Sequence, residues 1–334
     1  MNGAPVLVTR RLPPAAMAQL AECDVEVWPK ESVIPRQDLL RAVAGKHAVI
    51  TLLTERVDDE FLDAAGSQLL IVANYAVGFD NIDVAACTRR GVMASNTPDV
   101  LTDTTADMTW ALMLAAARRV AEGDRFLRTG QEWVWGPEML LGQDVHHKTI
   151  GIVGFGRIGQ AVARRASGFD MDVLWYDPPI PAGASLPGRR VDSLEELLAS
   201  SDFVTLHVNL SDETRHLINS ERLRQMRRTA VLVNAARGPV IDEAALAEAL
   251  DEGVIFAAGI DVFEREPDVN DRLRANPRAV LAPHLGSATV ETRVGMGTVA
   301  ISNVLAALRG ERPPTLVNPA VWDAANRRRP PAGR

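Results

Sequence analysis

Three side chains in the second half of the chain have types and surroundings suited to proton and carboxylate chemistry: Arg237 in NAARG, Glu266 in DVFEREP and His284 in APHLGSAT. A guanidinium can grip a carboxylate bidentately, an imidazole can deliver a proton to a carbonyl oxygen, and a carboxylate beside that imidazole can stabilise its protonated form. A reaction at the ketone of a 2-oxo acid requires these three groups. Each residue alone has a plainer reading. Arg237 could form a surface ion pair, Glu266 could be a solvated charge before Pro267, and His284 could be a packed histidine. Their meaning depends on the elements that present them.

Gly154-Phe155-Gly156-Arg157-Ile158-Gly159 fits G-x-G-x-x-G, a pattern that is weak in isolation. Here it follows the strand-like run TIGIV and opens the helix-forming stretch QAVARRA, and a second strand-like run ends at Asp177. Glycines permit the tight turn, a helix N-terminus offers free N–H groups to a pyrophosphate, and a carboxylate at the second strand's end can accept from ribose hydroxyls. The alternative is an ordinary β–α turn. If the site is real, the three reactive side chains act beside a nicotinamide. Asp177 would repel the 2′-phosphate of NADP, and no basic residue follows it until Arg189, so NAD is the cofactor expected.

Short apolar runs alternate with helical patterns, which indicates βαβ units and an α/β fold with mostly parallel sheets. One block holds strand-like runs at Val6–Thr9, His47–Leu53, Leu69–Asn74 and Val92–Ala94, with a helix after Pro14. A second block has six, at Thr149–Val153, Asp172–Tyr176, Phe203–Val208, Ala230–Asn234, Phe256–Asp261 and Ala279–Ala282. Between the blocks, Leu101–Leu127 has no Gly or Pro until Gly123 and predicts one long helix. Its Ala-rich surface would pack on another helix, from this chain or from a second subunit. Another long helix is expected from Thr289 to Leu308, and RRRPPAGR should be a frayed tail. Residues 1–101 and 290–334 would then form one discontinuous domain, with a dinucleotide domain over 102–289.

Composition narrows the class. The 334 residues are 47% hydrophobic and 24% charged, ordinary globular usage for about two domains. A net charge of −7 gives no general attraction to nucleic acid, and no apolar run is long enough for a membrane span. Two cysteines, Cys23 and Cys87, cannot build a disulfide framework or a Cys-rich zinc site, and no metal is expected. MNGAPVLVTRRLPP lacks the features of a signal peptide, so a cytoplasmic location is expected.

Over nearly its whole length the sequence resembles the D-isomer-specific 2-hydroxyacid dehydrogenases. The resemblance runs through NYAVGFDNID (Asn74–Asp83), NTPDVLTDTTAD (Asn96–Asp107), GFGRIG, NAARG, GIDVFEREP and PHLGSAT. NYAVG, NTPDVLTDTTAD and WVWGPEMLLG (Trp133–Gly142) are most similar to the glyoxylate/hydroxypyruvate reductase branch. The resemblance implies two Rossmann-like, doubly wound parallel-sheet domains with the active-site cleft between them. It further implies NAD-dependent interconversion of a small anionic 2-oxo acid and its D-2-hydroxy acid, with a hydride from nicotinamide C4 and a proton from His284.

Carried over by position, Arg237, Glu266 and His284 are the catalytic set, and Val77 and Gly78 join Arg237 and His284 in binding substrate. The NAD site implied comprises Thr105, Gly154, Gly156, Arg157, Ile158, Gly159, Asp177, Asn209, Thr214, Ala235, Asp261 and Gly286. Asp261 is expected near the nicotinamide carboxamide, and Asn209 stands where many relatives carry Pro. A homodimer is implied, with Trp135 the candidate to reach the neighbouring subunit's pocket; a core aromatic is the alternative. Acid preference would be set around Leu52, Leu53, Tyr75 and Trp135 or Met139. Alternatives are a relative acting on 3-phosphoglycerate, a phosphonate-type or a bulky 2-oxo acid, or an NAD-controlled corepressor-like binding protein. Formate dehydrogenase is disfavoured, because that related family has Gln where this chain has Glu266.

Overall fold

The computed structural model describes residues 3–181 and 183–322; RRRPPAGR lies outside them. The chain divides into two compact units, Met1–Leu101 with Ala288–Arg334, and Thr102–Ser287. Among the described residues no helix is long and apolar enough to cross a membrane.

In the first unit five strands, β1 (Pro5–Val8), β2 (Asp24–Val27), β3 (Ala48–Thr51), β4 (Ile71–Asn74) and β5 (Met93–Ser95), pair in parallel in the order β2-β1-β3-β4-β5. Strands β3 and β4 are buried at every position, because helices cover both faces of a parallel sheet and leave no polar side. The chain returns to this unit through the helix Val290–Arg309, capped by Thr289 and ended at the left-handed Gly310. Tyr75 Oη donates to the Arg293 carbonyl of that helix at 2.6 Å. Strand β2 is an addition to the runs legible in sequence: its DVEV segment lies at an edge, only partly buried, and so lacks an apolar run.

In the second unit β6 (Thr149–Val153), β7 (Asp172–Tyr176), β8 (Arg189–Arg190), β9 (Phe203–Leu206), β10 (Val231–Asn234), β11 (Ala257–Ile260) and β12 (Ala279–Leu281) form one sheet. Their order is β12-β11-β10-β9-β6-β7-β8, all parallel. The six runs read from sequence are all strands, and the two-residue β8 makes a seventh. After β6 the chain builds outward through β7 and β8, then crosses to place β9 on the other side of β6. That reversal opens a crevice at the carboxyl ends of β6 and β9, where doubly wound sheets take their ligands.

The long helix expected over 101–127 is two helices, Thr102–Ala117 and Val120–Arg128. Arg119 breaks it in the left-handed region at φ 54, with its guanidinium on Glu122 at 2.8 Å. The Ala117 carbonyl accepts from Gln143 N–H instead of continuing the helix. Thr102–Ala117 packs inside the unit, burying Trp110, Leu112 and Met113, whereas Val120–Arg128 buries no residue at all.

Candidate active site

The carboxyl edge of the seven-stranded sheet gathers the residues that sequence singles out in this unit. Gly154 follows β6, Asp177 follows β7, Ala235 to Arg237 follow β10, Asp261 follows β11 and His284 lies just past β12. Gly154 needs to be glycine twice over. Its φ is +88, and a Cβ there would come within 2.6 Å of the His207 carbonyl carbon beyond β9. Helix Arg157–Ala166 starts at Gly156 with no side-chain cap, and its N-terminus points its dipole toward the glycine turn. Asp177 Oδ2 accepts the Phe155 N–H at 2.7 Å, which fixes the carboxylate against the glycine turn.

Arg237 is delivered by a turn that Asn234 organises from the end of β10. The buried Asn234 side chain accepts from Ala236 N–H at 3.0 Å and donates to the Arg237 carbonyl at 2.9 Å. The next residue, Gly238, lies so close to Phe263 that a Cβ would overlap the Phe263 carbonyl group. This contact presses the Arg237 turn against the loop that carries Glu266.

Glu266 faces two ways. Its Oε1 accepts Phe263 N–H at 3.0 Å and its Oε2 lies 2.8 Å from His284 Nδ1. Burial opposes its charge, but the hydrogen bond and charge of His284, the Phe263 N–H and the Arg237 charge together hold the carboxyl below the usual carboxylate range. Since Glu266 occupies Nδ1, the other ring nitrogen of His284 is the one available to a reacting oxygen.

His284 adopts φ 56, unusual for a residue other than glycine, and the loop around it is over-determined. Its N–H is shared between the Asp261 and Ala282 carbonyls at 2.8 and 3.0 Å. The Asp261 carboxylate accepts Leu285 N–H at 2.6 Å and Gly286 N–H at 2.8 Å. Burial pushes the Asp261 carboxyl up, against those two N–H groups, which favour its charge. Thr105 and Asp261 both lie against Gly286, so three of the expected cofactor residues are neighbours. Thr214 Oγ1 donates to the Asn209 carbonyl at 2.6 Å and accepts Ser211 N–H at 2.8 Å, closing the loop that follows β9. Asn209 itself is exposed.

In the first unit the Val77–Gly78 loop follows β4. Asn96 donates to the Val77 carbonyl at 2.8 Å and Asn74 to the Gly78 carbonyl at 2.9 Å, which pins both carbonyls. Among the described residues the Val77 and Gly78 N–H groups donate to no partner, as donors kept for a ligand would.

Residues 110–286 match the family model of the D-isomer specific 2-hydroxyacid dehydrogenase, NAD binding domain. The chain belongs to the D-isomer-specific 2-hydroxyacid dehydrogenase family. It is 54% identical to a glyoxylate reductase of Thermococcus kodakarensis, over 95% of this chain and 96% of that one. Among solved structures, a Thermus thermophilus protein is similar with a TM-score of 0.88 and 46% identity, covering 94% of this chain and 99% of that one. An NADPH-dependent glyoxylate/hydroxypyruvate reductase of Sinorhizobium meliloti is similar at a TM-score of 0.80 and 29% identity, over 95% and 98% of the two chains. This dehydrogenase is thus an NAD(H)-dependent oxidoreductase of 2-oxo and D-2-hydroxy acids.

Several residues that hold the candidate loops are given no role by the sequence: Asn74 and Asn96 in the first unit, and Asn234, Gly238 and His207 in the second. The asparagines sit at or near strand ends, where an amide can satisfy a turn's backbone, and that position is the signal available. Trp135 is not a core aromatic of this chain, being 76% exposed; Trp133 beside it is 52% exposed. Tyr75, expected to help shape the acid pocket, has its hydroxyl engaged by Arg293.

Proposed function

We propose that this dehydrogenase reduces glyoxylate, and hydroxypyruvate as a second small acid, with NADH. The hydrogen-bonded pair of Glu266 and His284 beside the Arg237 turn is the observation that carries the chemistry. The 54% identity to a protein named glyoxylate reductase supports the choice of acid.

The uncapped N-terminus of Arg157–Ala166 and the close Gly154 turn fit a pyrophosphate, and Asp177 at the end of β7 fits an unphosphorylated ribose. NADH, when bound, supplies the hydride. Arg237 holds the substrate carboxylate as a bidentate fork. His284 gives the proton on its outer nitrogen to the carbonyl oxygen, and Glu266 stabilises the imidazolium before the transfer and keeps the ring oriented. The acid gains one hydride and one proton, and the enzyme regains its proton from solvent. Asp261 sets the His284 turn through the Leu285 and Gly286 N–H groups.

The NADPH-dependent neighbour has the same fold, so the fold does not choose the cofactor; Asp177 argues for NAD. The exposed Val120, Leu127, Trp133, Trp135 and Leu141 lie on Val120–Arg128 and the loop after it, and support a homodimer through this face. Cys23 and Cys87 are both free, which suits a cytoplasmic enzyme. Steady-state oxidation of NADH with glyoxylate, hydroxypyruvate, pyruvate and phenylpyruvate tests the proposal; the highest kcat/KM is expected with glyoxylate.

A further inference from the structure

His216 lies outside every motif that points to catalysis, yet it touches both loops on which the catalytic groups stand. Its N–H donates to the Pro239 carbonyl at 2.8 Å, two residues after Arg237. Ile218 N–H continues the pairing to the Val240 carbonyl at 3.0 Å. Its ring Nε2 lies 2.5 Å from Glu264 Oε1, and Glu264 directly follows Phe263, whose N–H holds Glu266. On its other side, His216 follows the Asn209–Thr214 loop that Thr214 closes.

The backbone at His216 gives an independent indication that the ring is needed. His216 has φ 50, in the left-handed region that a glycine enters without cost and an imidazole-bearing residue does not. Local folding alone would favour glycine there. What a histidine adds is the contact with Glu264. The Glu264 backbone also faces a second carboxyl: burial and the Glu264 charge push the Glu243 carboxyl up, while the Glu264 and Asn270 N–H groups favour its ionised form.

We infer that His216 and Glu264 are positioning residues that fix the Phe263–Glu266 loop so that Glu266 meets His284 in register, and that they tie this loop to the Asn209–Thr214 rim of the cofactor site. The inference rests on the reading of Glu266 and His284 as the proton-delivering pair. His216 acts through Glu264, the Phe263 peptide and Glu266. Misalignment of a catalytic group by a fraction of an ångström lowers turnover without removing any binding contact.

His216→Gly tests this, because it removes the ring while relieving the backbone. Expected are an unchanged or raised Tm, a kcat with glyoxylate lower by about tenfold, a KM and an NADH Kd (by fluorescence) within about twofold, and a larger solvent deuterium isotope effect on kcat. Glu264→Gln, nearly isosteric, should give the same pattern more weakly, and the double variant should lose no more than His216→Gly alone. A His216→Gly enzyme with native kcat and isotope effect, or with a loss confined to KM or NADH affinity, overturns the inference. Absence of oxo-acid turnover in the unaltered protein would instead sink the function it rests on, and the inference with it.

Discussion

His207 makes the stability of this protein dependent on pH in a calculable way. At the end of β9 its Nε2 lies 2.9 Å from Thr205 Oγ1, and its Nδ1 is buried with no hydrogen-bond partner among the described residues. A second ring proton would place a donor where nothing accepts it, and burial drives the imidazole down to about 3. In the unfolded chain the ring titrates near its ordinary value of about 6.5. The folded value is the lower of the two, so the stabilisation is complete above about pH 6.5 and is lost as the pH falls towards about 3. At about 1.4 kcal/mol per pH unit, this group removes about 2 kcal/mol between pH 7 and pH 5. That corresponds to roughly 4–8 °C in Tm for a unit of this size. Urea unfolding of the unliganded wild type and of His207→Leu at both pH values measures it. The wild type should lose about 2 kcal/mol more than the variant on acidification. Parallel losses in the two proteins would refute the reasoning.

Other perturbations act on the site. Gly238→Ala forces a methyl group into the Phe263 carbonyl, so the Arg237 and Glu266 loops must separate by about 1 Å. It should cost about 1–3 kcal/mol by urea unfolding and about 10²-fold in kcat; a variant with native rates would show that the two loops need not touch. Asp177→Ala removes the carboxylate that is proposed to accept from the ribose and to repel a 2′-phosphate. The ratio of kcat/KM for NADH over NADPH should fall at least about tenfold, and an unchanged ratio would place selection elsewhere. Leu127→Glu charges the exposed helix face and should convert a dimer to a monomer by light scattering at micromolar concentration. A wild type that is itself monomeric would remove that interface.

Parallel strands are legible in the sequence because burial on both faces turns them into unbroken apolar runs, as Ile71–Asn74 and Thr149–Val153 show. The edge strand Asp24–Val27 is not, for it lacks that burial. The break at Arg119 leaves no local mark, since it is fixed by Glu122 and by the Gln143 N–H that takes the Ala117 carbonyl. Arg237, Glu266 and His284 can be read because each stands in a short segment with its own turn chemistry. Their supports cannot: His216 and Glu264 are 48 residues apart in the chain and meet only when β10 and β11 lie side by side. The overlap that demands glycine at 238 likewise exists only in the folded sheet.

The central claim is that His284, held by Glu266, delivers the proton that completes reduction of a small 2-oxo acid. Its most direct test is the kcat/KM for glyoxylate with NADH in the wild type and in His284→Ala, alongside NADH binding by fluorescence. Turnover by the wild type is expected, with a loss of several orders of magnitude in the variant and NADH affinity preserved. Near-native kcat/KM in His284→Ala would contradict the account. So would a wild type that binds NADH, assembles in response to it and reduces no oxo acid.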